Sequence, residues 1–333
     1  MARRLACLLL AFWGALGGAA WAEEVTITLG GDCVLGTREE WKGEAYTFDT
    51  VIEKEGYGWC FSQIAEPFLT DDISLVNLEV VLQDGSEGHQ RGKEYTFRGA
   101  PAYTAILREA GIEQVNIANN HTIDFGLPGR ESTRSALSMG NIAYSGFTYR
   151  YTRTVNGYKI GFAGCRETTY LEDRTPVKQD LEALRAAGCD VIVYSYHWGK
   201  EYSPTHNRTQ ENMADYAIRN GADLVVGTHP HCVQGVEARG GGVVLYSLGN
   251  LVFGGTHEMT TFDAVVAQAV LSFDGGEYQG LTLRLMPVLT SSARPENNFR
   301  PEWATGADYE RIMDLIQADS DLTVQDEMWF PAP

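Results

Sequence analysis

His229-Pro230-His231 places two imidazoles two residues apart, where the apolar run 222–228 should break into a loop. Neutral imidazole nitrogens are ligands for Zn, Mn, Fe or Ni, and the proline between them lets both rings face one point. Alone, the pair reads equally well as two loop histidines. Three other strand-like runs also end in potential ligands: Asp32 after Gly30-Gly31, Asn119-Asn120-His121 after 114–118, and His197 after 191–196. Asn77-Leu78-Glu79 closes a further run, with Asn77 and Glu79 on one face by strand alternation. Two carboxylates, an amide oxygen and several imidazoles form a mixed oxygen and nitrogen set suited to borderline divalent ions.

Each residue also has a plainer reading. Asp32 after two glycines suits a turn. His121 and Asp124 could cap the helix expected over 129–139. His197 beside Trp198 could be a satisfied core histidine. Glu79 is harder to dismiss, because a carboxylate buried without a partner is strongly disfavoured. His89, His206 and His257 have no motif around them and are expected at the surface.

The elements that must position these residues alternate. Strands are predicted over 25–29, 73–80, 114–118, 159–164, 191–196 and 224–226, and helices over 103–110, 129–139, 177–187 and 209–219. Beyond the histidine pair, 243–253, 264–273 and 278–289 read as consecutive strands, with Asp274-Gly275-Gly276 as a hairpin turn. Alternation followed by antiparallel strands predicts a layered α/β fold with mixed sheets. Ligands gather at the C-terminal strand ends of such folds, where these candidates lie. No linker, low-complexity tract or internal repeat interrupts the chain, which reads as one domain over 23–290. An extension over 291–333, with a short helix near 309–316, is expected to pack on it.

Met1-Ala2-Arg3-Arg4 precedes an uncharged run from Leu5 to Trp21, and Ala20-Trp21-Ala22 stands just before Glu23-Glu24. This pattern predicts a cleaved secretory signal over 1–22 and a secreted or extracytoplasmic mature chain. An uncleaved anchor is the rival, disfavoured by the short apolar run and the Ala-x-Ala end. Losing Arg3 and Arg4, and no acidic residue, would move the net charge from −18 to −20. So acidic a chain is repelled by nucleic acid and by anionic membranes. A polyanion could be held only locally, by metal ions or a few arginines. Of six cysteines, Cys7 would leave with the signal. Cys33, Cys60, Cys165, Cys189 and Cys232 are an odd, widely spaced set and read as buried free thiols.

Seven runs carry a family resemblance: Gly31-Asp32, Asn77-Leu78-Glu79, Thr96-Phe97-Arg98-Gly99, the stretch from Asn119 to Gly126, the stretch from His197 to Tyr202, Gly227-Thr228-His229-Pro230-His231, and Tyr246-Ser247-Leu248-Gly249-Asn250. In this order they resemble the CapA capsule-synthesis (poly-γ-glutamate biosynthesis) family over roughly residues 25–255. That family is similar to the calcineurin-like metallophosphoesterases, which implies a four-layer α/β/β/α sandwich. The resemblance implies that Asp32, Glu79, Asn120, His197, His229 and His231 hold one or two divalent ions (Mn, Zn or Fe), with Glu79 bridging. His231 would share its ion with Asp32 and Glu79. His121 would protonate a leaving group or hold a phosphoryl oxygen, with Asp124 orienting its ring, and a water activated by the ions would attack. Arg98 would hold a substrate carboxylate or phosphate, with Arg38 and Lys200 as weaker candidates; a structural salt bridge is the other reading of Arg98. Where the phosphoesterases have Asp-x-His, this chain reads Asp32-Cys33-Val34. Val34, on the side of Asp32 by alternation, cannot coordinate, and Glu79 stands in place of a shorter aspartate.

Three functions follow as expectations. The first is a secreted metal-dependent hydrolase or transferase acting on an anionic polymer or a phosphoester at the cell surface. The second is a non-catalytic assembly or anchoring factor that works beside membrane-bound capsule-synthesis proteins. The third, a module that kept the fold and lost its chemistry, has only the missing histidine in its favour.

Overall fold

A computed structural model describes residues 23–333; the expected signal segment, 1–22, lies outside the described residues. The apolar runs form strands because they are buried on both faces: every residue of Val191–His197 and of Leu224–Thr228 is buried. The intervening segments form helices where they can cap them. Asn207 accepts from the backbone of Thr209 and Gln210, and Gln210 returns the bond, so Arg208–Arg219 begins with a full capping box.

The fold is mixed α/β, as expected. A nine-stranded sheet has Glu23–Val34 at its centre, antiparallel to Asp263–Asp274 and parallel to Ile73–Leu78. Beyond Ile73–Leu78 come Gln114–Asn116 and Ala143–Ser145, both parallel. A six-stranded sheet has Val191–His197 between Tyr158–Arg166 and Leu224–Thr228, all three parallel. A three-stranded sheet joins Thr37–Arg38, Phe97–Gly99 and Val81–Leu82.

Alternate side chains go to different cores. Val191 and Val193 pack with Ile27, Leu29, Ile73 and Leu75 between the two large sheets. Ile192, Tyr194 and Tyr196 pack instead with Leu181, Leu184, Met213 and Ala217. A third core unites Val76, Leu78 and Val115 with Phe48, Ile52, Ile106, Leu107 and Leu137. Among the described residues, no helix is long and apolar enough to cross a membrane.

Several expectations need revision. The run 243–253 is two strands: Gly242–Leu245 lies in the six-stranded sheet and Asn250–Phe253 in the nine-stranded one. The chain crosses between them at Gly249, whose φ of +72° a side chain would strain. The helix Phe48–Glu55, capped by Thr47 and stopped by Gly56, was not anticipated, although Thr47-x-x-Thr50 is a legible cap. The segment beyond residue 290 does more than cover the domain. Its strands Glu302–Trp303 and Glu327–Pro331 pair with Glu277–Leu289, and Ile312, Ile316, Met328 and Phe330 enter the core between the sheets. The three histidines expected at the surface are half-buried. His206 stacks on Tyr246, His89 on Phe125 and His257 on Trp41. All five described cysteines are buried free thiols.

Candidate metal centre

Parallel strands end along one edge, so residues at or just past the ends of five strands from two sheets meet here. Asp32 lies near the end of the central strand Glu23–Val34 and is fully buried. Its N–H donates to Gly249 O at 2.9 Å. Gly31 makes this crossing feasible: a Cβ there would stand 1.9 Å from Gly249 O. The Asp32 carboxylate accepts from Asn77 Nδ2 at 2.8 Å and from the His229 N–H at 3.1 Å. Asn77 is itself held by Asn116 and Asn119, whose amides donate to its Oδ1 at 3.0 and 3.2 Å.

Glu79 is fully buried, and neither carboxylate oxygen has a hydrogen-bond partner among the described residues. Its Oε1 faces His197 Nε2 at 3.4 Å and His121 Nε2 at 3.8 Å. Burial, then the charge of Asp32, pushes its carboxyl well above the usual range. Asp32 goes the other way: burial opposes its charge, but His231, Asn77 and the His229 amide outweigh it. His231 Nδ1 lies 3.3 Å from Asp32 Oδ2 and 2.9 Å from Asn250 Oδ1. Burial opposes protonation of His231, but Glu79 and Asp32 raise it to about 9. His229 is lowered to about 4, by burial and by the charge of His231. His197, lowered further by burial and its histidine neighbours, has Nε2 2.8 Å from Asn120 Oδ1.

Ligand-capable atoms fall into two groups that share one carboxylate: Asp32, Glu79 and His197, and Glu79, His229 and His231. Within each, the atoms lie within 4.8 Å of one another. Glu79 thus belongs to both sets, and His231, which falls in the set with His229, also has its Nδ1 3.3 Å from Asp32 Oδ2. The donors fit a divalent cation: the Glu79 oxygens and the buried His229 Nδ1 lack hydrogen-bond partners among the described residues. The His229-Pro230-His231 turn is also strained, with φ of +98° at His229 and +55° at His231. Such strain, about 1–3 kcal/mol per residue, persists where surrounding structure imposes it.

His121 stands beside this cluster. Its Nδ1 is 2.7 Å from Asp124 Oδ2, and its ring lies 4.3 Å from that of Phe97. Asp124 also accepts from Lys93 Nζ at 2.5 Å and from the Phe97 N–H at 2.8 Å. Burial lowers His121 to about 4 against the pull of Asp124.

Arg98 is engaged elsewhere: its Nε and Nη2 donate to the two oxygens of Glu39 at 2.8 and 3.2 Å. Arg38 lies between the rings of Trp41 and Tyr95, 4.2 and 4.4 Å from their centroids, and Lys200 is exposed. Strict alternation fails after Asp32, because a bulge between Asp32 and Cys33 sends both Cys33 and Val34 into one apolar core. Val34 therefore does not face the cluster. Lys93 and Asn116 were missed as site residues, and Asn119 and Asn250 stood in the motifs without an assigned role. Asn116 could have been found, since an amide within an apolar strand must find partners; Lys93 and Asn250 carry no such signal. The roomier surface hollows, such as one of about 400 Å³ lined by Asp215, Glu237 and Arg239, contain none of these residues.

The family model described as bacterial capsule synthesis protein PGA_cap matches residues 26–255. The capsule biosynthesis protein CapA of Bacillus anthracis is 24% identical over 257 residues, covering 69% of this chain and 60% of that protein. The PGA biosynthesis protein CapA of Bacillus subtilis (strain 168) is 28% identical over 227 residues, covering 62% and 59%. The chain therefore spans about 60% of the length of these two relatives. A probable polyglutamine synthesis accessory protein of Mycobacterium tuberculosis is 24% identical over 283 residues, covering 68% and 74%. Among solved structures, a hypothetical protein from Thermus thermophilus superposes with a TM-score of 0.47 at 14% identity, covering 79% of this chain and 99% of that one. The family match runs through every strand end that carries a ligand candidate, and the chain belongs to the bacterial capsule synthesis protein PGA_cap family.

Proposed function

We propose that the chain is a secreted, metal-dependent hydrolase that acts on an anionic polymer or a phosphoester during capsule or poly-γ-glutamate synthesis. The relatives' names, which speak of capsule, PGA and polyglutamine synthesis, support the biological setting. The observation that carries the chemistry is Glu79, a buried carboxylate with no hydrogen-bond partner among the described residues, shared between two sets of ligand atoms. Asp32, Glu79, His197, His229 and His231, with the amide oxygen of Asn120, would hold one or two ions. A divalent ion there would polarise a carbonyl or phosphoryl oxygen and make water a better nucleophile at neutral pH.

The chain's own residues supply the proton path. Asp124 fixes the Nδ1–H of His121, which leaves Nε2 free to accept a proton and return it to a leaving group. Lys93 holds Asp124 in place. Metal analysis of the purified protein, together with a panel of phosphoester and γ-glutamyl substrates, tests this reading. Bound Mn, Zn or Fe and turnover of one class are expected, both lost in Glu79→Ala. A protein that can neither be isolated with metal nor be reconstituted overturns it. Export is tested by mass spectrometry, which should find Glu23 at the mature N-terminus.

A second reading, a non-catalytic assembly factor beside membrane-bound capsule proteins, draws on Val34, which supplies no ring at the first carboxylate. It predicts metal and polymer binding with no turnover.

A further inference from the structure

An acidic chain of net charge −18 repels an anionic substrate, so the cations near the cluster decide whether one can be held. Two of them are already neutralised: Lys93 pairs with Asp124 and Arg98 with Glu39. Arg166 differs. It is the last residue of the Tyr158–Arg166 strand, and its register partner in the neighbouring parallel strand is His197. Register partners in adjacent strands lie about 4.8 Å apart and project to the same face, so Arg166 stands beside a candidate ligand. The next residue reinforces the placement, because Glu167 Oε2 accepts from the Gly199 N–H at 2.6 Å and ties the loop after His197 to this strand end. The charge of Arg166 acts on both His197 and His229. Yet its guanidinium makes no hydrogen bond and no ion pair among the described residues, and the residue is half-buried. A partly buried guanidinium fork left without an acceptor suits an oxyanion, which it can bind with two parallel bonds.

We propose that Arg166 holds an oxyanion of the substrate, a carboxylate or a phosphoryl group, against the His197 and His229 side of the metal centre. The assignment rests on the hydrolase reading for its substrate but not for its geometry. Arg166 is a specificity residue: it binds the charged group next to the reacting bond and takes no part in proton transfer.

The test is isothermal titration of the full mature chain with two probes, inorganic phosphate and a γ-linked glutamate oligomer, each with and without Mn. Wild type, Arg166→Met, Arg166→Lys and Arg300→Met, at an arginine that stacks on Trp59, are compared, with metal content and thermal melts read separately. Wild type should bind at least one probe, and Arg166→Met should weaken that probe about tenfold or more. Arg166→Lys should fall between, keeping the charge without the fork, and Arg300→Met should match wild type. Loss of phosphate alone identifies a phosphoryl group, and loss of the oligomer alone a carboxylate. Unchanged binding in Arg166→Met, or wild type that binds neither probe, overturns the proposal. So does binding lost only together with metal or fold in both Arg166 variants. Wild type that can neither be isolated with metal nor be reconstituted, yet whose probe binding still depends on Arg166, sinks the hydrolase reading and leaves the Arg166 assignment standing.

Discussion

At the scale of single residues, Glu79 is where stability and function oppose one another. Its oxygens lack hydrogen-bond partners among the described residues, and burial disfavours its charge. Glu79→Gln should therefore stabilise the metal-free protein, by about 1–3 kcal/mol, or leave it unchanged. The same change should remove most of the stabilisation that added Mn or Zn produces in a melt. A variant that melts lower without metal and still gains as much from it would contradict this account. His121 allows a separate prediction. His121→Ala and Asp124→Asn should lower turnover by about 10²–10⁴-fold with metal content intact, because neither contributes to the two ligand sets. Coincident loss of metal and activity would mean that His121 is a ligand. The histidines, Asp32 and Glu79 were legible because their residue types are chemically unusual at the ends of apolar runs. Lys93 was not, because its partner Asp124 lies 31 positions away.

At the scale of elements, the position of Asp32 depends on a crossing of backbones. The Glu23–Val34 strand passes so close to Gly249 that a Cβ at Gly31 would meet its carbonyl at 1.9 Å. Gly31→Ala should destabilise the fold by about 1–3 kcal/mol and weaken metal binding with it. Urea unfolding and metal titration of that variant check both effects; a loss of stability with unchanged metal affinity would separate the crossing from the site. Strand and helix order was readable from periodicity. The split of 243–253 into strands of two sheets was not, because hydrophobic alternation is the same whichever sheet a strand joins. The bulge after Asp32 is a similar case: it reverses the side to which Val34 points without a residue that announces it.

At the scale of the whole molecule, the segment after residue 290 closes the fold. His206 and Asp319 join the loop before Arg208–Arg219 to the end of Ala307–Ala318, with Nδ1 and Oδ2 3.0 Å apart. Burial opposes the histidine's charge, but Asp319 and then Glu237 outweigh it and raise its pKa above the ordinary 6.5. A raised folded pKa means that this stabilisation is complete below the unfolded value and is lost as pH rises through the folded one. His206→Gln should therefore reduce stability by about 1 kcal/mol or less in mild acid and have no effect at alkaline pH. Equal destabilisation at both pH values, measured by urea unfolding, would assign His206 a packing role only. That this segment packs on the domain and carries a helix was legible; its pairing with Glu277–Leu289 was not, because most of its partners in the core lie far from it in sequence.

Residue types and their local pattern were enough to say which side chains can do chemistry, and in what order strands and helices deliver them. That information is local: periodicity, caps and turns are written within a few positions of one another. Only the folded chain reveals that Glu79 is shared between two ligand sets, that Arg98 is neutralised by Glu39, and that Arg166 stands beside His197 with no ion pair among the described residues. Those are relations between strands of different register and between distant segments. They depend on which backbones pass within a few ångströms of each other, and periodicity does not encode that distance.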